Sequence, residues 1–431
     1  MSPSQVQVQR KASSPMAPPF IVSAPGKVIV FGEHAVVHKK AAMAAAISLR
    51  SYLLVTTLSK SKRTVTLNFR DIGLNHTWNI DLLPWKAVQP HAAAVTTDKP
   101  DNVRKVHQNS ATQFLYLFLS LASPDSHSAI YTLRSTIPIG AGLGSSASVS
   151  VCLSTALLLQ ARILAGPHPD QPPWEAEVQI ERINRWAFVG ELCIHGNPSG
   201  LDNTVSSGGK AVLFRRSNYS KPPTVTAIPK FPELPLLLVN TRQSRSTAVE
   251  VAKVGKLRKS HPQVTEAILD TIDQVTMSAH EMVASDEFEE HDDALENFGS
   301  LVRVNHGLLV SLERIRELVD YTNIGWTKLT GAGGGGCAII LIRPDASPQT
   351  LQDLEEKLEA EKFEPFETTL GGDGVGVLYP AVLQDGEEID QQKFEDAVGN
   401  EGIVRLVGVQ AGTNNAHERR GGWKFWKRAR I

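Results

Sequence analysis

One long stretch of the sequence has no charged residue, and it constrains the fold more than any other feature. Residues 135–161 contain no Asp, Glu, Lys, Arg or His. Such a stretch could span a membrane, but six serines, three glycines and a proline interrupt it. Its apolar part is also shorter than the ~20 residues that cross a bilayer, and no aromatic belt flanks it. We therefore predict a glycine turn followed by a buried core helix.

A strand and a turn precede this helix. Residues 128–139 alternate between apolar and polar side chains, which predicts a strand with one buried and one exposed face that ends at Pro138. The turn contains Gly140, Gly142 and Gly144, and the helix begins with Ser145 and Ser146. Free N–H groups and the positive end of the helix dipole favour an anion at such a position. The turn is therefore predicted to bind phosphate.

The length and the charge balance limit the class of protein. A chain of 431 residues exceeds what one hydrophobic core usually supports, so two domains are expected. Because 44 Lys and Arg residues balance 45 Asp and Glu residues, we expect neither nucleic acid nor an anionic membrane as a partner. The three cysteines are odd in number and too far apart for a zinc site, which is typical of a reducing compartment. Residues 1–19 lack the apolar segment of a secretory signal and are predicted to be disordered.

A cluster of polar residues lies near the N-terminus. Lys27 precedes the apolar run 28–31, and Glu33 and His34 follow Gly32 at a turn. Three such groups within mostly apolar sequence are unusual for a surface. On the local sequence alone, an ion pair between Lys27 and Glu33 explains them better than a functional site does.

Two carboxylates further along the chain are candidates for chemistry. Helical spacing predicts a helix over Glu175–His195, with Glu191 near its C-terminal end. A carboxylate in the last turn opposes the helix dipole unless a cation lies nearby, so Glu191 is a candidate metal ligand. Asp202 lies in a predicted loop between two glycine-containing bends, where an Asx turn is an equally good explanation.

The rest of the chain predicts fold more than chemistry. A short strand is expected at 20–24, and residues 52–57 and 64–69 look like a meander. Residues 71–109 are polar without a clear period and are predicted to be a surface insertion. A proline-rich boundary at 222–235 precedes the second domain, and the basic end of the chain is predicted to be a loose tail.

Other nucleotide-binding motifs fit the sequence poorly. GLGSSA at 142–147 matches G-x-G-x-x-A, but the alternating strand and the lack of a second strand ending in an acidic residue argue against dinucleotide binding. The chain has neither a G-x-x-x-x-G-K-[ST] motif nor the protein-kinase set. A phosphate-binding turn, a lysine, two carboxylates and a second glycine run at 331–336 remain. Together they are what phosphoryl transfer requires.

Four motifs carry a resemblance to a known family. They are SAPGKVIVFGEHAVVH at 23–38, IPIGAGLGSSASVSVCLSTALL at 137–158, HGNPSGLDN at 195–203 and KLTGAGGGGCAIIL at 328–341. In this order they resemble the motifs of mevalonate kinases, within the small-molecule kinase superfamily that includes galactokinase, homoserine kinase and phosphomevalonate kinase. The first motif favours mevalonate over the other substrates of the superfamily.

The resemblance implies an α+β fold of two domains. Helices would pack on mixed or antiparallel sheets, and the active site would lie in the cleft between the domains. The expected parts are a disordered extension at 1–19, an N-terminal kinase domain at 20–228, a C-terminal kinase domain at 229–385 and an extension with the basic tail at 386–431.

The resemblance also implies roles for individual residues. Asp202 is expected to take the C5-hydroxyl proton of mevalonate late in the reaction, beside Lys27, which would stabilise the alkoxide and the γ-phosphoryl charge. Ser146 and Glu191 are expected to hold Mg²⁺. The ATP phosphates are expected to contact Gly140, Ala141, Gly142, Leu143, Gly144, Ser145 and Ser146. The substrate or its approach is expected to contact Lys27, Glu33, His34, Asp202, Thr247, Gly331 and Ala332.

The implied activity is ATP-dependent phosphorylation of mevalonate to 5-phosphomevalonate, in isoprenoid and sterol synthesis. The resemblance further implies a cytoplasmic homodimer without a membrane span, inhibited by prenyl diphosphates that compete with ATP. Two alternatives stay open on the sequence: a related kinase that acts on another small alcohol, and a catalytically silent relative that senses ATP and a metabolite.

Overall fold

The computed structural model describes residues 18–86, 100–168, 170–196, 198–217, 223–242, 247–285, 288, 293–309, 319, 322–330, 336–382, 388–409 and 422–428. The strands in these ranges are β1 Phe20–Phe31, β2 Ala41–Thr57, β3 Thr64–Phe69, β4 Leu74–Asn79, β5 Ala129–Ser135, β6 Ala211–Arg215, β7 Thr224–Ile228, β8 Leu234–Asn240, β9 Gly325–Leu329, β10 Cys337–Ile342, β11 Glu364–Leu370, β12 Gly376–Leu378 and β13 Trp423–Phe425. The α-helices are α1 Asp101–Leu121, α2 Ser145–Gln160, α3 Pro173–His195, α4 Leu201–Gly208, α5 Thr247–Ser260, α6 Pro262–Ala284, α7 Ala294–Leu309, α8 Pro348–Ala360, α9 Gln391–Asp396 and α10 Gly399–Val407.

The strands form one branched sheet whose main path runs β13, β12, β1, β2, β11, β8, β10, β9. Strand β2 joins the branches, because its N-terminal part pairs with β6, its C-terminal part pairs with β5 and Ile47 in its middle meets Leu370 of β11. The β3–β5 pair is parallel, whereas the pairs along the main path are antiparallel. The prediction of an α+β fold with a mixed sheet is confirmed.

Helices cover the sheet and enclose two large cores. The first core lies between α1, α2, α3 and the strands β1, β2 and β5, and the second lies between α6, α7 and the strands β8, β10 and β11. Helix α2 is buried on nearly all sides, which explains why residues 135–161 contain no charge. Its buried Ser148 hydroxyl donates to the Ala24 carbonyl at 2.7 Å and its Ser150 Oγ lies 2.9 Å from the Ser146 carbonyl oxygen, so these two serines are paired although they are buried.

Strand β5 does not have the predicted exposed face. Thr132 and Arg134 are buried, because β5 lies between β2 and β3 and its second face is covered by the C-terminal segment. The Arg134 guanidinium donates to the carbonyls of Phe394, Glu395 and Ala397 at the end of α9. Arg134 is therefore paired inside the protein, and neither it nor the buried Thr132 faces water. The strand ends at Ser135, three residues before Pro138.

Several other local predictions were wrong. Residues 71–109 are not a surface insertion as a whole, because Leu74–Asn79 forms β4 and a helix begins at Asp101; residues 87–99 lie outside the described ranges. Strands β2 and β3 do not form a meander, since β5 pairs with both of them. The predicted strand 20–24 continues to Phe31, with a register shift between Pro25 and Lys27.

The end of the chain is packed where the structure describes it. Residues 423–425 form β13 on β12, and Trp426 is buried in the first core. The prediction of a loose basic tail is therefore wrong for residues 422–428. Among the described helices, none combines the length and the apolarity that crossing a bilayer requires.

Candidate functional site

The glycine turn before α2 has a backbone that other residues rarely adopt. Gly140, Gly142 and Gly144 have φ angles of 76°, 81° and 72°. Gly144 is the N-cap of α2, and a Cβ added to it would lie 3.0 Å from Cγ of Lys27. The turn therefore needs glycine for its conformation, and at Gly144 it needs glycine for space as well. The N-terminal end of α2 lies directly behind this turn, as predicted for a phosphate-binding site.

Lys27 reaches the turn from β1. The register of β1 against β2 shifts between Pro25 and Lys27, which marks a local irregularity in the strand. The Lys27 backbone N–H donates to the Leu143 carbonyl at 2.9 Å, and its Nζ donates to the Gly142 carbonyl at 3.3 Å. The lysine is thus held along its whole length by the turn that it faces.

Asp202 lies beside Lys27, as the resemblance implied. The distance from Lys27 Nζ to Asp202 Oδ1 is 3.3 Å, and the two side chains are 8% and 33% exposed. The predicted pairing of Lys27 with Glu33 does not occur. The carboxylate is therefore the more open partner of this ion pair.

The segment that carries Asp202 is a helix and not the predicted loop. Gly200 caps α4, and Asp202 lies in its first turn, where the helix dipole favours a negative charge. Leu201 and Val205 pack on Ala44 and Ala46 of β2, whose small side chains let the helix approach the sheet. Burial of this apolar face overrides the low helix propensity of a sequence rich in Asn, Ser and Gly.

Glu191 is buried near the end of α3 and is surrounded by hydroxyl groups. Ser146 Oγ donates to Glu191 Oε2 at 3.2 Å, and Ser150 Oγ donates to Oε1 at 2.9 Å. Burial raises the pKa of Glu191 to about 7, and the charge of Asp202 adds to this rise, whereas the hydrogen bonds from the two serines and the charge of Lys27 oppose it. These mutual effects indicate that Glu191, Asp202 and Lys27 share one site.

His195 is a member of the site that the sequence analysis missed. Its Nε2 lies 3.2 Å from Ser146 Oγ and 3.7 Å from Glu191 Oε2. The spacing of four residues from Glu191 on a predicted helix could have identified it, because such residues share one face. Ser146 therefore contacts both a carboxylate and an imidazole.

Glu33 lies in a different environment from the one predicted. It is buried, and its carboxylate pairs with Lys328 Nζ through Oε1 and accepts from Asn305 Nδ2 at 3.0 Å through Oε2. Lys328 also donates to the Ile29 and Leu329 carbonyls, and burial lowers the pKa of its amine. The structure therefore does not bring Glu33 to an open surface. His34 follows it with a φ of 59°, at the start of a 3-10 turn over Ala35–His38.

Three further predicted contacts are Thr247, Gly331 and Ala332. Thr247 is the first residue of α5, but its side chain lies outside the described residues, as do Gly331 and Ala332. Gly336, with a φ of 80°, and the strand Cys337–Ile342 follow them in the chain.

Comparison with known proteins identifies relatives of this chain. Residues 109–209 match the family described as GHMP kinases N terminal domain, and residues 286–360 match GHMP kinases C terminal. A mevalonate kinase of Aspergillus fumigatus is 67% identical over 98% of this chain and 85% of that protein. A mevalonate kinase of Gibberella zeae is 59% identical over 98% of this chain and 90% of that protein.

Solved structures show the same fold at lower identity. A mevalonate kinase of Methanococcus jannaschii superimposes with a TM-score of 0.62 at 23% identity, over 82% of this chain and 98% of that one. A mevalonate kinase of L. major in complex with R-mevalonate has a TM-score of 0.60 at 24% identity, over 82% of this chain and 96% of that one. These two similarities establish the architecture of the chain.

Proposed function

The chain belongs to the mevalonate kinase family of the GHMP kinases, and on this premise we propose that it transfers the γ-phosphoryl group of ATP to the C5 hydroxyl of mevalonate. The products are 5-phosphomevalonate and ADP. The observation that carries the proposal is the Lys27–Asp202 pair at 3.3 Å, directly beside the glycine turn. An ammonium group, an open carboxylate and a phosphate-binding turn are the groups that this reaction needs at one place.

Asp202 orients the alcohol and accepts its proton. The carboxylate is one third exposed, so a hydroxyl group can approach it. Because a carboxylate is a weak base for an alcohol, the proton moves late, when the oxygen already bonds to phosphorus.

Lys27 and the glycine turn stabilise the charge on the transferred group. Lys27 Nζ lies within 3.3 Å of both Asp202 Oδ1 and the Gly142 carbonyl, so the ammonium group is fixed between the alcohol position and the turn. The backbone of residues 140–146 offers N–H groups to the ATP phosphates, and the N-terminus of α2 adds its dipole. Such preorganised donors lower the barrier without rearranging during the reaction.

Ser146 and Glu191 fit a magnesium ion. A hydroxyl and a carboxylate are the hard oxygen ligands that Mg²⁺ prefers. Burial raises the pKa of Glu191 to about 7. A cation bound nearby would favour the ionised form of this carboxylate. Ser146 and Glu191 would hold the ion, and phosphate oxygens of the nucleotide and water would complete its ligands. When bound, Mg²⁺ neutralises charge on the phosphate oxygens.

The proposal also includes the assembly, the localisation and the inhibition of the protein. We propose a homodimer in the cytoplasm that prenyl diphosphates inhibit at the ATP site. The free thiols of Cys152, Cys193 and Cys337 support a reducing compartment. The domain limits at 228 and 385, and contacts of His34, Thr247, Gly331 and Ala332 with substrate, belong to the same proposal.

A coupled assay of ADP release tests the proposed reaction. The purified chain is given ATP and Mg²⁺ with mevalonate, phosphomevalonate, homoserine or galactose. We expect turnover with mevalonate at least tenfold above that with any other alcohol, and loss of turnover in Asp202→Ala with an unchanged melting temperature. Turnover with another alcohol alone would identify a related kinase. Binding of ATP and mevalonate without ADP release would identify a sensor, and ordinary kcat in Asp202→Ala would refute the assignment of the base.

A further inference from the structure

The last described residues of the chain contact the helix that carries Asp202. Strand β13 pairs with β12 and Trp426 is buried, so the position of Arg428 is set by the packing of the segment before it. The Arg428 side chain is 13% exposed, and its Nε lies 3.3 Å from Glu177 Oε2 on α3. The guanidinium group lies against Gly208, the last residue of α4. We infer that Arg428 is a positioning residue that holds α4, and with it Asp202, at the distance from Lys27 and Glu191 that phosphoryl transfer requires.

The contact with Gly208 is close and depends on the absence of a side chain. A Cβ added to Gly208 would lie 2.8 Å from Cζ of Arg428 and 2.8 Å from its Nη2. The φ of Gly208 is not in the left-handed region, so the backbone does not require glycine there. Space for the guanidinium group is therefore the reason for glycine at this position. A cation at the C-terminal end of a helix also interacts favourably with the helix dipole.

Arg428 connects the two helices that carry the site. Glu177 belongs to α3, which also carries Glu191, whereas Gly208 belongs to α4, which carries Asp202. Helix α4 has eight residues, so a shift at Gly208 is transmitted to Asp202 over only about 9 Å of rigid helix. Arg428 is thus placed to fix the separation of the two carboxylates.

Other contacts hold α4 nearer its N-terminal end and its middle. Asn203 Nδ2 donates to Asn184 Oδ1 on α3 at 2.5 Å, and Ser206 Oγ donates to the Pro25 carbonyl on β1 at 2.7 Å. The C-terminal end of α4 is held by the backbone as well, since the Ser207 carbonyl accepts from the Val375 N–H at 3.1 Å, and Arg428 adds a side-chain restraint between that end and α3. Loss of Arg428 should therefore let α4 tilt without unfolding the protein.

The inference rests on the proposed function, and its first test compares Arg428→Ala with Lys427→Ala. Lys427 is the adjacent residue, is exposed, and carries the same charge. We expect Arg428→Ala to lower kcat for mevalonate about tenfold with KM values within twofold, since small misplacement of catalytic groups costs rate more than binding. Lys427→Ala should keep wild-type kcat. Equal kcat in Arg428→Ala and Lys427→Ala would overturn the inference, as would a loss in Arg428→Ala that disappears once activity is normalised to folded protein.

A second test displaces the guanidinium group while keeping its charge. Gly208→Ala should push Arg428 away from α4 and lower kcat about as much as Arg428→Ala does. In the background of Arg428→Ala, the extra methyl group meets empty space, so Gly208→Ala should cause no further loss. If the fold-losses in kcat of the two single variants multiply in the double variant, the proposed contact is contradicted. If Arg428→Ala does not fold, Gly208→Ala alone still tests the contact, and a folded Gly208→Ala with wild-type kcat would overturn the inference.

Wild-type protein and Asp202→Ala are measured in the same assay. Mevalonate turnover in the wild type that Asp202→Ala abolishes supports the proposed function whatever Arg428→Ala does. Wild-type protein that lacks mevalonate turnover refutes the proposed function instead. In that case hydrogen exchange of the α4 amides is measured in Gly208→Ala, in Arg428→Ala and in the wild type. Amide protection equal to the wild type in both variants would overturn the positioning role independently of the proposed function.

Discussion

Two lysine–carboxylate pairs connect β1 to distant parts of the chain, and they differ in their exposure. Lys27 at a strand irregularity pairs with Asp202, whose side chain is 33% exposed. Glu33, just past the end of β1, pairs with Lys328, and both side chains are 0% exposed. The first pair joins β1 to α4 beside the glycine turn, and the second joins it to β9 in the other half of the sheet.

The difference in burial separates a pair that can react from a pair that holds structure. An exposed carboxylate can exchange its contacts with the lysine for contacts with a substrate at small cost. A sealed pair has replaced water by protein hydrogen-bond partners: Asn305 donates to Glu33, and the carbonyls of Ile29 and Leu329 accept from Lys328. The pair cannot open without leaving a charge unpaired in the protein interior. We therefore expect substitutions in the first pair to affect rate and those in the second to affect stability.

The largest effect on stability is expected from Lys328→Met. The substitution leaves the Glu33 carboxylate buried without its cation, which should cost about 3–5 kcal/mol in the free energy of unfolding. Urea denaturation monitored by circular dichroism measures it. Activity per folded molecule should stay within threefold of the wild type.

The matched control replaces both members of the buried pair. Glu33→Met combined with Lys328→Met removes both charges and should recover most of the lost stability. If the double variant is stable but has lost mevalonate turnover, Glu33 acts in the reaction, and the division between the two pairs is wrong.

The next largest effect is expected from Lys27→Met, and it concerns rate. Loss of the ammonium group should lower kcat by about 100–1,000-fold, because a preorganised charge no longer faces the transferred phosphoryl group. The stability should change by less than about 1 kcal/mol, since Asp202 can be solvated. Steady-state kinetics and urea denaturation measure the two quantities, and Lys62→Met on an exposed turn is the control. A loss of stability as large as that of Lys328→Met would mean that exposure does not distinguish the pairs.

The two pairs also differ in how far they could be predicted from sequence. Lys27 and Asp202 lie in short motifs with glycines, and glycines that permit close approach leave a local signal, as at Gly144. Glu33 and Lys328 also lie in glycine-containing motifs, but they are 295 positions apart and neither has a close-approach glycine beside it that indicates its partner. A pair formed only by the tertiary fold has no local pattern to read.

The same reasoning explains which parts of the fold were predicted. The helices α2 and α3 have a long apolar run or a strong helical period of their own, and their predicted positions were right to within a few residues. The burial of Thr132 and Arg134 depends on α9, more than 250 residues away, so an alternating pattern wrongly indicated an exposed face. The helix at Asp202 forms because β2 presents small alanines to it, which no property of its own sequence indicates.

The smallest effect concerns Glu191, a buried carboxylate that lies between the two cases. Its pKa is raised from 4.5 to about 7, so folding favours the protonated form. The stabilising contribution is complete below pH 4.5 and is lost as the pH rises through 7. At ~1.36 kcal/mol per pH unit, the rise of the pKa from 4.5 to about 7 corresponds to roughly 3.4 kcal/mol. Glu191→Gln cannot ionise, so its advantage in unfolding free energy over the wild type should grow between pH 5 and pH 8 in the absence of ATP and Mg²⁺. Urea denaturation at several pH values measures this difference, with Glu181→Gln on the exposed face of the same helix as the control. If the unfolding free energies of the wild type and Glu191→Gln change in parallel with pH, the Glu191 carboxylate is solvated like that of Asp202. Burial would then not separate the reactive from the structural carboxylates in this site.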